Sequence, residues 1–270
     1  MVIVAATLSC QPTEQGCIFA GIIESSPFPG GVKRQTAFWR MGYQVVLPTN
    51  WEWVATTPLM EEPVEDLIYH NEAFHFLTER EHIVACEEPP VFHEDLVELI
   101  PINMYFQPRT GNDDETVLAR YLVESRRRLL MVVRLTSRRQ HLPTSAFRVF
   151  QKEELSSDDV KEELYDNYAG VIQFQYYWSE LPALEGRMLF VGRGCSRSYE
   201  AANGYPGMEG VYFLDDQSFH KPIIGDAPNL PYRCSDNGKW SEGPPQEVGR
   251  CFPARGPSMY SRPAVSNAEI

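Results

Sequence analysis

The chain has 270 residues, of which 43% are hydrophobic, and a formal net charge of −13. The acidic excess argues against sequence-independent binding to nucleic acid or to an anionic membrane, because both of these partners are also negative. No apolar run reaches the ~18 residues of a membrane-spanning helix, and the apolar start MVIVAATLSC lacks the basic lead of a signal peptide. We therefore expect a protein of the cytoplasm, the nucleus or both, with reduced thiols at its six cysteines.

Short apolar runs separated by turn residues dominate the first half of the chain. The 21 prolines and 18 glycines of the whole chain favour short strands over long helices. Asn71-Glu72 divides two alternating runs and predicts a hairpin turn. The predicted strands are Val2–Leu8, Cys17–Ile23, Thr36–Met41, Tyr43–Leu47, a hairpin plus a third strand within Leu67–Cys86, and one or two strands within Asp95–Phe106.

The second half continues this pattern with one exception. Ser156–Tyr165 predicts a short helix, because Ser156 or Ser157 is a suitable N-cap and two aspartates follow in the first turn. The other predicted elements are strands, and Met188–Val191 and Val211–Leu214 are expected to be neighbours in one antiparallel sheet. The remaining strands are the hairpin arms Ala119–Val123 and Leu129–Leu135, then Ala146–Phe150 and Val171–Trp178.

A repeat is visible in the spacing of four apolar runs, which start at Cys17, Ala73, Leu129 and Met188. These starts are 56, 56 and 59 residues apart, close to the ~50-residue period of kelch units, in which each repeat is a four-stranded sheet. Sheets of this size bury both faces when they stack around an axis. The spacing therefore predicts an all-β fold, a β-propeller with kelch-like blades, with one short inserted helix and a ring that is either small or shortened. Residues 1–252 would form four to five blades, and residues 253–270 a disordered, Pro-rich tail.

Four segments resemble one known family. They are Leu67–Thr78, Arg120–Leu135, Leu189–Asp216 and Asp236–Trp240, and the third is the most specific because it combines a Leu-Phe-Val-Gly strand with a Tyr-Pro-Gly turn. The chain is similar over most of its length to the plant F-box-associated β-propeller domain of the KIB type. The resemblance implies a substrate-recruiting propeller of a ubiquitin ligase, and some relatives recruit shaggy-like kinases in brassinosteroid signalling. No helical F-box segment is recognised before Cys17, so binding of a Skp-type adaptor is not expected.

The histidines of the Leu67–Cys86 segment raise the question of a metal site. His70, His75, His82 and Cys86 carry side chains that zinc accepts. The spacing is neither C-x-x-C nor H-x-x-x-H, and His75 lies in an alternating strand whose neighbours point to opposite faces. We expect neither a metal nor a cofactor.

Cys195-Ser196 follows a predicted strand in a Gly-rich turn and is the candidate nucleophile. The surrounding G-R-G-C-S-R does not match the G-x-S-x-G elbow of hydrolases, and no His–acid pair can be assigned to it. A tight turn with a packed thiol is the expected structure. No catalytic residue is therefore predicted.

A group of arginines is the candidate partner-binding site. Arg126, Arg127 and Arg128 lie in a predicted hairpin turn, and Arg134, Arg138 and Arg139 follow. Arginine pairs with phosphate in a bidentate manner, so these side chains could contact an acidic or phosphorylated partner. The alternative is a solvated basic surface, and the acidic segment Glu153–Asp166 is a second candidate surface with the same alternative.

Three functional hypotheses follow. The first is a non-enzymatic protein-interaction module whose partner is of unknown identity, a shaggy-like kinase being one candidate from the resemblance. The second is a degenerate or truncated family member without activity. The third is a hydrolase-like enzyme on the same fold, which would require a histidine and an acid beside Cys195 in a concave pocket.

Overall fold

The computed structural model describes residues 2–14, 16–28, 31–40, 62–87, 91–92, 97–98, 100–109, 115–137, 144–156, 158–159, 161–165, 170–214, 236–243 and 246–251. Throughout these residues the regular secondary structure is β, in twenty strands. None of the described elements is a helix of the length and apolarity needed to cross a bilayer. The predicted strand Tyr43–Leu47 and the predicted tail 253–270 lie outside the described residues.

The first two sheets follow one another in the chain, and in each the strands occur in sequence order. Antiparallel pairing joins all neighbours in both sheets. A separate two-stranded ribbon connects the last two strands of sheet 2. Sheet 1 contains β1 (Val2–Leu8), β2 (Ile18–Phe28) and β3 (Gly31–Arg40); sheet 2 contains β4 (Val64–His70), β5 (Ala73–Thr78), β6 (Ile83–Glu87) and β9 (Pro101–Met104); and the ribbon contains β7 (Val91–Phe92) and β8 (Val97–Glu98).

Sheet 3 repeats this plan, whereas sheet 4 departs from it. Sheet 3 is antiparallel and carries its own ribbon before its last strand. Sheet 4 has the order β17-β16-β18-β19-β20, with its second strand in the chain at one edge. Sheet 3 contains β10 (Glu115–Ser125), β11 (Arg128–Ser137), β12 (Ala146–Glu154) and β15 (Tyr176–Glu180), with the ribbon β13 (Lys161–Tyr165) and β14 (Gly170–Phe174); sheet 4 contains β16 (Arg187–Val191), β17 (Arg197–Glu200), β18 (Gly210–Phe213), β19 (Gly238–Ser241) and β20 (Glu247–Gly249).

The four sheets of the described residues are the blades of a propeller. Their inner strands β1, β4, β10 and β17 contact one another in that order along the axis. Hydrophobic clusters fill the spaces between sheets 1 and 2, 2 and 3, and 3 and 4. Because sheet 3 has a blade on each side, β11 buries both of its faces, which explains its continuous apolar run. Leu130 and Val132 face sheet 4, and Met131 and Val133 face sheet 2.

The spacing repeat is confirmed as the repeat of the blades. Its four starting points lie at the beginning of β2, β5, β11 and β16. Each of these strands is the second from the axis in its sheet. A strand in this position is flanked by two others and is largely buried, so it carries a strong apolar signal.

The predicted helix at Ser156–Tyr165 is wrong. Asp158 and Asp159 form a turn, closed by the hydrogen bond from Asp159 N to Ser156 O at 2.9 Å, and Lys161–Tyr165 is the strand β13. It pairs with β14, from Lys161 opposite Phe174 to Tyr165 opposite Gly170. Ten residues are too few for a stable helix without tertiary contacts, whereas pairing with β14 provides the backbone partners.

The pairing predicted for Met188–Val191 and Val211–Leu214 is correct in its partners and wrong in its direction. The two strands, β16 and β18, are neighbours but run parallel, with Leu189 opposite Val211. After β16 the chain turns back and forms the inner strand β17, which is antiparallel to β16. It then crosses to the other side of β16, and such a crossover is what a parallel pair requires.

Candidate functional site

A polar cavity opens at the axis, at the end where the inner strands finish. Its volume is about 670 Å³, and residues from all four blades line it. We call this cavity the axial mouth. Its lining residues are Thr7 and Leu8 of blade 1, Ile68 and Tyr69 of blade 2, Glu124, Ser125 and Arg126 of blade 3, and Ser196, Arg197, Ser198, Tyr199, Glu200 and Asn203 of blade 4.

The wall of the axial mouth differs in character from its rim. In the wall, Thr7 and Ile68 are buried, and the hydroxyls of Ser125 and Ser198 are hydrogen-bonded at 2.8 Å across blades 3 and 4. At the rim, Tyr199 is 55% exposed, and Arg197 and Asn203 are also exposed. Tyr199, Arg197 and Asn203 therefore give the rim an aromatic, a cationic and an amide side chain, beside the exposed Glu124 and Arg126.

Arg126, a predicted partner-binding residue, is bound within the protein. Its Nε and Nη2 bond the Glu200 carboxylate at 2.9 and 2.8 Å, and Nη2 also donates to Glu185 O at 2.8 Å. The hydrogen bonds from Arg126 lower the pKa of the Glu200 carboxyl. Arg126 therefore links blade 3 to blade 4, and its charge is matched by carboxylates.

The other predicted arginines are divided between several environments. Arg127 lies exposed at the tip of the turn between β10 and β11, where φ is +60°. Arg128 is exposed and forms an ion pair with Glu153 at 3.3 Å. Arg138 and Arg139 lie outside the described residues. As a partner site the cluster remains a prediction, and Arg126 and Arg127 together form the tip of the turn.

Arg134 belongs to the interior and not to a surface cluster. It is 2% exposed, and it donates to Thr144 Oγ1 at 2.6 Å, to Asp236 Oδ2 at 2.8 Å and to Leu214 O at 3.1 Å. Its guanidinium also lies 4.7 Å from the centre of the Phe213 ring. Arg134 therefore joins β11 to the strands of sheet 4.

The segment Asp236–Trp240, which carries part of the family resemblance, has structural roles in sheet 4. Burial would raise the pKa of Asp236, but its bonds to Thr144 and the charge of Arg134 outweigh burial and lower that pKa. Gly238 has φ +151°, and a Cβ there would lie 2.3 Å from Gly249 O. Trp240 is buried between blades 3 and 4.

Asp66 is a buried acid at the centre of the ring. Its Oδ2 accepts a hydrogen bond from Leu122 N at 2.7 Å, and its Oδ1 accepts one from Gly194 N at 2.6 Å. Burial raises the pKa of Asp66 to about 7, against the lowering effect of these bonds and of the Arg193 charge. Asp66 thus connects the inner strands of blades 2 and 3 to the turn of blade 4.

The Gly192–Cys195 turn brings blade 4 against blade 1. Gly194 has φ +74°, and a Cβ there would lie 2.4 Å from the backbone N and O of Ala6 in β1. The turn is closed by Cys195 N donating to Gly192 O at 3.0 Å, and Ser196 Oγ donates to the same oxygen at 3.0 Å. The Cys195 side chain is exposed, so the predicted packed thiol is wrong. The glycines serve the close approach of two blades.

A second buried network joins blades 2 and 3. Glu81 accepts hydrogen bonds from Arg109 and from Arg120 Nε at 2.8 Å, and Arg120 Nη1 bonds Glu65 at 3.0 Å. Burial would raise the pKa of Glu81, but the two arginines outweigh burial and lower that pKa. The network fixes the angle between the blades and offers no free charge to a ligand.

The His70–Cys86 series is distributed over several environments. The rings of His70 and His75 are 5.7 Å apart, while Cys86 lies in the core between blades 1 and 2. His82 accepts a hydrogen bond from Phe106 N at 3.2 Å. In the part of the chain that the structure describes, no three His, Cys, Asp or Glu side chains converge as a metal site requires.

A further cavity of about 550 Å³ lies between blades 3 and 4, away from the axis. Phe147, Leu184 and Trp240 form part of its lining, with the Arg148–Glu180 ion pair beside them. Only two blades build this cavity, so its shape depends on one interface. The axial mouth is lined by all four blades and is the candidate site.

Sequence reasoning missed the acidic residues that join neighbouring blades. Asp66, Glu81 and Asp236 are acids that end up buried or partly buried between blades. Asp66 left a detectable signal, because aspartate is rare in strands and yet lies within the strand sequence VEDLIYH. A buried aspartate also requires a hydrogen-bonding or charged partner. The inner strand β17 had none, because its sequence, RSYE, reads as a polar connection.

One comparison with known proteins identifies the chain, and two do not. The family model described as KIB1-4 beta-propeller matches residues 1–240. No curated protein and no solved structure matches this chain.

Proposed function

Because this chain belongs to the KIB1-4 β-propeller family, we propose that it is a non-enzymatic protein-interaction module that binds its partner at the axial mouth. The observation that carries the proposal is that all four blades line one polar cavity. Rigid strands hold its rim side chains in place, which lowers the ordering cost of binding. We further propose the role that the resemblance implies, substrate recognition for a ubiquitin ligase in the cytoplasm or nucleus.

The rim chemistry suits a folded protein surface. Tyr199 supplies a large, partly apolar contact with few rotatable bonds, and tyrosine is enriched among the residues that dominate binding energies. Arg197 and Asn203 stand at the same rim and are able to orient a polar partner. Since carboxylates already hold Arg126, we place recognition on Tyr199 and Arg197 instead.

The first candidate partner is a shaggy-like kinase, proposed from the family resemblance. The test is surface plasmon resonance with the purified full chain and a purified shaggy-like kinase. We expect Tyr199→Ala to weaken binding by at least about tenfold, as loss of a central aromatic contact does. The matched control is Tyr177→Ala, because Tyr177 is 37% exposed on β15 in the outer part of blade 3.

Two results would contradict the proposed site or partner. Equal weakening by Tyr199→Ala and Tyr177→Ala would remove the axial mouth as the binding site. Absence of binding by the wild-type chain would remove the kinase. A Skp-type adaptor is measured in parallel, and we expect no direct binding, because the resemblance covers the propeller alone.

A further inference from the structure

Cys10 and Cys17 face each other where β1 and β2 continue into their connection. Leu8 pairs with Phe19, and one position further Ser9 N donates to Ile18 O at 2.9 Å. Ile18 N donates to the Ser9 hydroxyl at 3.0 Å, so the regular ladder ends at this pair. Cys10 and Cys17 are the next residue on each of the two chain segments.

The two thiols are in contact but differ in access. Cys17 Sγ donates to Cys10 O at 3.2 Å, and the hydrogen bond between the two side chains raises the pKa of the Cys10 thiol. Cys17 is buried, whereas Cys10 is partly exposed. A reagent in solution therefore reaches Cys10 first, and Cys17 is the adjacent thiol that can react next.

We propose that Cys10 and Cys17 form a reversible oxidation site, at which a peroxide converts two thiols into one disulfide. The Cys10 thiolate attacks the peroxide, the O–O bond breaks, and Cys10 becomes a sulfenic acid while one water forms. Cys17 then attacks the Cys10 sulfur, the S–S bond forms, and the sulfenic oxygen leaves as a second water. The two thiols lose two electrons and two protons, and a dithiol reductant reverses the change.

Cys86 and Cys195 lack this arrangement and provide controls. Cys86 lies in the core between blades 1 and 2, where burial keeps a reagent in solution away from its thiol. Cys195 is exposed in the turn at the start of β17, so Cys195→Ser tests whether exposure of a thiol alone is sufficient for oxidation. The proposed site also adjoins the axial mouth through Leu8, but the proposal does not rest on the proposed function.

Peptide mapping tests the disulfide directly. The purified chain is treated with hydrogen peroxide, its free thiols are alkylated, and it is digested without reduction. We expect a Cys10–Cys17 cross-linked peptide as the main product, lost in Cys10→Ser and Cys17→Ser, retained in Cys195→Ser and removed by dithiothreitol. Recovery of Cys10 as a sulfinic acid, or joined to another cysteine while Cys17 stays a thiol, would overturn the proposal.

A second measurement does not depend on oxidation. Phenylarsine oxide bridges two neighbouring thiols, so it should bind the wild-type chain at least about tenfold more tightly than Cys17→Ser, which offers one thiol at this site. Thermal melts of both proteins establish that the variant is folded. Equal arsenical binding by two folded proteins would show that the thiols do not act as a pair.

Discussion

At the residue scale, Asp66 couples the packing of the axis to pH. Its folded-state pKa is about 7, whereas the ordinary value for an aspartate is 3.8. Between these values the folded protein keeps a proton that the unfolded chain releases. The contribution of this proton to the free energy of unfolding is fully present below pH ~4 and is lost as pH rises through 7. That contribution is at most about 4 kcal/mol.

The variant Asp66→Asn should lack this part of the pH dependence, because an amide does not titrate. It should also be less stable than wild type at pH 5 by about 1–3 kcal/mol, since one amide N–H group faces a backbone N–H donor. Urea unfolding at pH 5 and pH 8 measures both effects. Asp159→Asn, at an exposed turn, is the control and should keep the wild-type slope. An unchanged slope in Asp66→Asn would refute the assignment.

His75 should give the opposite dependence. Burial and the charge of His70 lower the pKa of His75 to about 4, below the ordinary histidine value of 6.5. Its stabilising contribution is therefore complete above pH ~6.5 and is lost as pH falls through 4. We expect His75→Phe to flatten the loss of stability between pH 6.5 and 4 in urea unfolding. A steeper acid loss in the variant would contradict this.

Arg134 is expected to matter for stability and not for binding. Replacing it with methionine removes one of the two arginine partners of Asp236, Arg250 being the other, and should cost about 1–3 kcal/mol. The same replacement at Arg128, whose side chain is 60% exposed, should change stability by less than about 0.5 kcal/mol. Chemical denaturation compares the two variants, and similar losses would show that Arg134 is not a structural residue.

At the element scale, the Gly192–Cys195 turn is the piece that lets blade 4 meet blade 1. Gly194 and Gly207 have nearly the same φ, +74° and +77°, but a Cβ has open space at Gly207 and overlaps Ala6 at Gly194. A substitution at either position thus carries the cost of a left-handed residue, but a Cβ at Gly194 also collides with Ala6 of blade 1. This makes them a matched pair for experiment.

We therefore expect Gly207→Ala to cost about 1–2 kcal/mol, the penalty of a left-handed alanine. Gly194→Ala should cost several kcal/mol more, because the backbones of two blades must separate. Thermal unfolding measures the difference. Equal losses in the two variants would mean that the approach of Gly194 to Ala6 does not contribute to the fold.

At the scale of the whole molecule, three cores and the axial contacts join neighbouring blades. Trp178 lies in the core between blades 2 and 3, and Trp240 in the core between blades 3 and 4. Blade 3 contributes residues to both cores. Unfolding of one core would therefore expose the apolar side chains that blade 3 gives to the other. The described blades should therefore unfold as one unit.

Tryptophan fluorescence and far-ultraviolet circular dichroism should accordingly report the same urea midpoint. Such a cooperative transition would count against the hypothesis of a degenerate chain. Two separated transitions would show instead that the blades are independent.

Much of the fold could be predicted from the sequence, because the second strand of each blade is largely buried and leaves an apolar run. Those runs recur at nearly constant spacing and define the propeller. The sequence was a poor guide where pairing overrides local preference. Lys161–Tyr165 has helical composition but forms β13 with β14, and the polar segment Arg197–Glu200 forms the inner strand of blade 4.

By itself, the sequence determined the all-β class, the blade repeat and the family, since each is written in short-range patterns of apolar and turn residues. Only the tertiary structure decided that Arg126 and Arg134 are internal links and that Asp66 joins three blades at the axis. The partners of these charges lie 56 to 128 residues away in the chain. Electrostatic pairing at such separation depends on how the blades close, which local sequence does not encode.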